Sequence, residues 1–395
     1  MAAEREGQGG PLLWGGCFLI LLLVAWFWAG GFSLPNPLGV KVLQAIGAVN
    51  LESPRVMWEY LVGEGDMAIL CWDKDGFSPD SRQEGSGKVI ALDPAGKELW
   101  RREMPGEVFL KARGFNWATG DPAQGEATLY RADGRLAWQQ RWSWPLQEII
   151  LSSGGEVAVL LGPLREEGTN LIEKVVLVNE QGQARWEYPV RNGTILDCRF
   201  DPVGDYLVVS ELLFHKGDLQ HRAVILDRQG RIGGEYSSSR EEFFTATTIA
   251  AGQGNWFLAG AETLYSLHYS GEKDWQYNFG RIPQRVIPEP VRGGVLVITL
   301  ENGSPGAGSI LSYLDREGEL IWEHRFSAPA AAMEVMATAG GILVGDGRGI
   351  YGLDYGGKII WYHPVPGLAG LAADQEGGKI LVYSGWGRLT LLELP

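Results

Sequence analysis

"YGLDYGGKIIWYHP", residues 351–364, sets an aliphatic residue, an Asp, a glycine and a tryptophan at fixed offsets. The alternating runs on either side, GIYGLDY (349–355) and KIIWYHP (358–364), read as half-buried strands. Between them Asp-x-x-Gly closes a tight hairpin. Glycine there takes a positive φ without steric cost, and the short carboxylate accepts hydrogen bonds from turn amides.

The phrase recurs in LDPAGKELW (92–100), YRADGRLAW (130–138), VNEQGQARW (178–186), LDRQGRIGG (226–234), LHYSGEKDW (267–275) and LDREGELIW (314–322). Its glycines are Gly96, Gly134, Gly182, Gly230, Gly271, Gly318 and Gly357, spaced by 38, 48, 48, 41, 47 and 39 residues. Asp93, Asp227, Asp315 and Asp354 open four of the turns, and His268 takes that place in another. Trp100, Trp138, Trp186, Trp275, Trp322 and Trp361 each follow their glycine by four residues; Gly234 stands there in the remaining unit and predicts a looser joint. A period near 43 residues with no helical stripe indicates a blade repeat of four short strands. Each tryptophan is placed on the outermost strand of its blade, where the ring covers the flank of the next and buries roughly 150–250 Å².

Eight strand pairs lie upstream of the hairpins, from RVMWEYL (55–61) with MAILCW (67–72) to GLAGLAA (367–373) with KILVYSG (379–385). The expected fold is therefore an all-β propeller of eight blades, alternatively seven, each a four-stranded antiparallel sheet. The last unit ends in RLTLLELP (388–395), a third strand without a fourth. An open edge exposes unpaired backbone groups. GVKVLQAIG (39–47) is expected to supply the missing strand and close the ring.

The repeated Asp-x-x-Gly-x-x-x-Trp hairpin resembles the PQQ-like, or quinoprotein-like, tryptophan-docked β-propeller family over about residues 50–395. That resemblance implies one of two things: a dehydrogenase holding pyrroloquinoline quinone and calcium, or a cofactor-free scaffold of the BamB-like kind. The dehydrogenase branch carries a vicinal cysteine pair, whereas here Cys71 is followed by Trp72. The scaffold is the preferred reading, without catalytic residues or cofactor. The alternative is a quinone-dependent dehydrogenase or small-ligand sensor that uses the central funnel.

Other chemistry-bearing residues are sparse. DKDGFSPD (73–80) brings Asp73 and Asp75 together as candidate cation ligands, but it lacks the glycine spacing and the bidentate Glu of an EF-hand loop. His215 and His221 fall in FHKGDLQHR (214–222), read as a long polar hairpin loop with a metal pair as the alternative, and His324 and His363 are expected to face solvent. Cys17 lies in an apolar run, while Cys71 and Cys198 read as small buried apolar residues. GSPGAGS (303–309) and AGGILVGDGRG (339–349) lead into no helix and so make no phosphate loop. Asn192-Gly-Thr and Asn302-Gly-Ser match the glycosylation pattern.

Residues 12–32 are 21 consecutive uncharged residues, which as a helix of about 1.5 Å rise per residue match a bilayer's hydrocarbon core. They predict a transmembrane signal anchor, preceded by a tail (1–11) and followed by a linker (33–49), with a cleavable signal peptide as the alternative. The net charge of −14 repels phosphate backbones and excludes nucleic acid as a partner. The expected partners are the membrane, through 12–32, and other envelope or membrane proteins, with the propeller outside the cytoplasm. Loops 73–87 and 211–221 are the expected contact surfaces. Nothing in the sequence fixes an oligomeric state.

Overall fold

The computed structural model describes residues 54–394 apart from 63–66, 73–74, 78–80, 84–86, 105–107, 114–115, 132, 153, 166–170, 202, 216–217, 238–245, 250–253, 290, 302–307, 374–377 and 385–386. The described strands form eight sheets. Seven are antiparallel blades, named here by their turn glycines. They are the Gly134 blade (108–141), Gly182 (146–191), Gly230 (193–237), Gly271 (246–278), Gly318 (283–326), Gly357 (334–364) and a closing blade (368–393). The eighth, around Gly96, is mixed. In it Met67–Trp72 runs antiparallel to Asp75–Phe77 and parallel to Gly87–Leu92, which in turn pairs with Glu98–Met104.

Each sheet is narrow and twisted, so its two faces pack on its two neighbours. The middle strands Val295–Leu300 and Ser309–Leu314 are buried along their whole length. This explains why such runs are continuously apolar and do not alternate. The core is accordingly a set of seams between blades. Leu311 and Tyr313 meet Ile342 and Val344 across one seam, and Ile90 and Leu92 meet Leu381 and Leu391 across another. The second of these joins the first sheet to the last, so the sheets form a closed ring.

Closure differs from the sequence expectation. Arg55–Leu61 does not pair with Met67–Trp72; it pairs antiparallel with Arg388–Glu393 and becomes the fourth, outermost strand of the closing blade. The blade is thus assembled from both ends of the propeller, and the role expected of residues 39–47 is filled by Arg55–Leu61. Residues 39–47 and the apolar 12–32 lie outside the described residues. Among the described residues no helix is long and apolar enough to cross a membrane.

Two expected loops are also corrected. Within 73–87, Asp75–Phe77 and Ser81–Gln83 are short strands, and Ser81–Gln83 crosses to the inner edge of the Gly134 blade by pairing with Val108–Arg113. The 211–221 region is a hairpin, with unbroken register from Tyr206↔Asp227 to His215↔Asp218. The expected hairpin loop is paired strand up to His215↔Asp218, with Phe214 and Leu219 opposite each other. His221 is buried within it.

Candidate functional site

The residues singled out by the repeat converge on the joints between sheets. Asp93 Oδ1 accepts the amides of Ala95 and Lys97 (2.9 and 2.8 Å), and Asp227 and Asp315 each hold two turn amides in the same way. Asp354 accepts the amide of Lys358, and Asn179 does the same work in the Gly182 turn. The carboxylate fixes the loop so that the glycine, at φ between 75° and 85°, presents its bare Cα outward. The indole of the preceding sheet lies on that spot. A Cβ added at Gly134, Gly182, Gly230, Gly318 or Gly357 would come within 2.6–3.0 Å of Trp100, Trp138, Trp186, Trp275 or Trp322 respectively.

Sequence reasoning missed one member of this set. Trp58, on the closing strand, covers Gly96 in the same manner, and its Nε1 donates to Pro94 O at 2.9 Å. Trp186, Trp275 and Trp322 donate to the carbonyls of Arg228, Arg316 and Tyr355 at 3.1, 2.9 and 3.1 Å, in each case two residues before the glycine. Trp58 also shares their register shift. No Asp-x-x-Gly turn precedes it in the chain, because its hairpin partner lies at the other end. Trp361 faces the closing blade and packs on Leu371, Ile380 and Val382.

A second latch sits two residues beyond the tryptophan. Arg102 Nη2 donates to Gly134 O at 3.1 Å, Gln140 Nε2 to Gly182 O, and His324 Nε2 to Gly357 O at 2.6 Å. At the closing joint Tyr60 OH reaches Glu98 (3.1 Å). The residue type changes from joint to joint, so no one-letter repeat reveals it. His324 is buried, against the expectation of a solvent-facing ring, because the latch points into the seam; His363 is half-buried.

The Gly271 joint has no indole. A Cβ on Gly234 would overlap the carbonyl of Tyr269, and one on Gly271 would overlap that of Glu235. Two backbones meet directly here, flanked by stacked Tyr206 and Tyr269 (4.5 Å, 23°). The joint is closer than its neighbours, which corrects the looseness expected of Gly234.

The buried charges serve the seams too. Glu211, fully buried, accepts Tyr188 OH at 2.6 Å and Arg222 Nη2 at 2.8 Å. Burial pushes its carboxyl up from the ordinary value despite these donors. Glu173 accepts Gln147, Thr194 and the Ile195 amide, and Glu289 accepts the amides of Val291 and Arg292. On the innermost strands Arg199 pairs with Asp197 (3.0 Å) and Arg285 with Glu334 (3.6 Å). A polar cleft of about 240 Å³ between Glu156, Gln181, Arg185 and Arg228 is smaller than usual ligand pockets of roughly 300–1,000 Å³. Among the described residues no group of three His, Cys, Asp or Glu has the geometry to hold a metal ion. Asp73 lies outside the described residues, and Asp75 opens a short strand.

Residues 77–215 match the model of the family described as outer membrane protein assembly factor BamB. The chain carries the PQQ-like propeller repeat. Solved structures extend the likeness to the whole ring. BamB from Moraxella catarrhalis is 13% identical with a TM-score of 0.59, over 86% of this chain and all of that one. Sqt1 from Chaetomium thermophilum is 10% identical with a TM-score of 0.58, over 83% of this chain and 94% of that one. Sqt1 bound to the N-terminus of ribosomal protein L10 is 11% identical with a TM-score of 0.57, over 83% and 96%. At these identities the likeness is one of fold. No curated protein sequence matches the chain significantly. In the PQQ-like repeat of this chain, the glycines, aspartates and tryptophans are accounted for by joints alone.

Proposed function

We propose that this protein is a non-catalytic interaction scaffold, tethered to the cell membrane by residues 12–32 and displaying its propeller outside the cytoplasm to other envelope proteins. The observation that carries the reading is where the buried polar chemistry goes: Glu173 and Glu211 accept donors from the neighbouring blade, and Glu289 accepts the amides of its own turn. An assembly factor of an outer membrane and a propeller bound to the N-terminus of another protein share this fold, which supports a protein-binding role. The contact surface we favour is the tip of the Tyr206–Asp227 hairpin, where Phe214 and Leu219 form an exposed cross-strand apolar pair.

Cross-linking mass spectrometry of the full chain in native membranes tests the reading. Cross-links to other proteins should cluster at this tip and fall several-fold in a Phe214→Glu, Leu219→Glu variant. Undiminished cross-linking would reject the tip. Extraction of the chain from membranes by alkaline carbonate would reject the tether.

A further inference from the structure

We propose that the joint between the Gly318 and Gly357 blades is an acid-sensitive latch, held closed by the neutral imidazole of His324 and released when that ring gains a proton. His324 stands on Leu320–Phe326, two residues beyond Trp322. Its Nε2 lies 2.6 Å from the Gly357 carbonyl. A carbonyl can only accept, so Nε2 carries the ring's single proton. The second proton must therefore enter at Nδ1, which is buried and has no hydrogen-bond partner. Protonation would place a charge where no acceptor awaits it, and a buried charge without a partner is strongly disfavoured.

The surroundings offer no relief. The Trp322 ring, 5.1 Å away and tilted by 44°, presents no acceptor atom. On the same strand Glu323 is engaged by Arg281 and Ser312, and Arg325 by Glu301. His324's cross-strand neighbour is the apolar Leu311. On the opposing turn Asp354 is held by the amide of Lys358, and beside Tyr355 Glu289 is held by two amides while Arg292 lies over the tyrosine ring. No charged side chain offsets the burial of the ring, which holds its pKa below the ordinary histidine value.

The sign follows. Above the unfolded pKa of about 6.5 the closed joint has its full advantage, and it loses that advantage as pH falls through the lower folded value. The equivalent latches at the Gly134 and Gly182 joints are Arg102 and Gln140. Neither changes charge in this range. Acid would thus loosen one radius of the ring, at the seam where Tyr313 and Tyr355 meet, and leave those two closed.

Hydrogen exchange on the full chain at pH 7 and pH 5, corrected for intrinsic rates, tests this. In the wild type, protection of the Asp354 and Gly357 amides should fall, by no more than about thirtyfold because pH 5 lies only about 1.5 units below the unfolded pKa of about 6.5. The Asp93 and Gly96 amides, whose joint has no histidine, serve as the internal reference. His324→Gln keeps a donor of the kind Gln140 supplies and does not titrate, so its protection should be independent of pH; His363→Gln should behave as the wild type. Equal pH dependence in the wild type and His324→Gln, or an equal fall at Asp93–Gly96, would overturn the proposal. If the Gln variant does not fold, the wild-type imidazole followed by NMR decides. Protonation accompanied by loss of Gly357 protection supports the latch, and protonation without such loss overturns it.

Discussion

At six joints an indole covers the glycine of the next turn, whereas at the Gly271 joint two glycine backbones meet with nothing between them. Both solve the same problem, which is to bring a flat sheet edge against a tight turn without a void. The indole does it with area, helped at the Trp58, Trp186, Trp275 and Trp322 joints by a hydrogen bond to the turn, and it tolerates some adjustment because a ring can slide. The glycine pair does it by approach of main chain to main chain, which leaves no soft atom to move. Tryptophan joints should therefore yield by degrees under mutation, and the glycine joint should fail abruptly.

The largest effect is expected from Gly234→Ala. Its Cβ would overlap the Tyr269 carbonyl, so the turn must withdraw and the seam between Tyr206 and Tyr269 must open. A loss of about 4 kcal/mol or more is expected in chemical denaturation, at the limit of what single substitutions do. If the loss is under about 1 kcal/mol, the contrast between the two kinds of joint disappears. Trp186→Ala should cost about 3 kcal/mol, from lost ring burial and the bond to Arg228 O. Asp227→Ala removes the acceptor for the Gln229 and Arg231 amides and should cost about 1 kcal/mol in the same assay.

A pH-dependent effect concerns Glu211, at the seam between the Gly182 and Gly230 blades. Burial raises its folded pKa above the unfolded value. Its ionised form therefore weighs against the folded state at neutral pH, and this burden lifts as pH falls through the folded pKa. Between pH 7 and pH 5 the wild type should gain stability relative to Glu211→Gln, by at most about 1.4 kcal/mol for every pH unit that separates the folded from the unfolded pKa. A change in the opposite direction would show that the Arg222 pair outweighs desolvation.

The repeat was legible where local geometry dictates it. Turn aspartates, positive-φ glycines and docking tryptophans recur at fixed offsets because a hairpin has only a few ways to close. Trp58 was hidden for a topological reason: its strand partner is contributed from the far end of the propeller, so no local motif precedes it. The second latch was hidden for a chemical one. Arg102, Gln140 and His324 do the same task with different functional groups, and a pattern of letters cannot register equivalence of reach. The hairpin at 206–227 was legible, but its pairing extends further towards the tip than the polar residues there suggest.

The central claim is that an indole seated on a bare glycine fastens six of the joints, including the one between the first sheet and the last. A double-mutant cycle between Trp58 and Gly96, read by equilibrium unfolding of the full chain, tests it most directly. In the wild type Gly96→Ala must both strain a residue at φ 78° and drive its Cβ against the ring, 2.7 Å away; in Trp58→Ala only the strain remains. The two substitutions should therefore be non-additive by about 1–2 kcal/mol. Additivity within about 0.5 kcal/mol would mean that the ring is not closed through this contact.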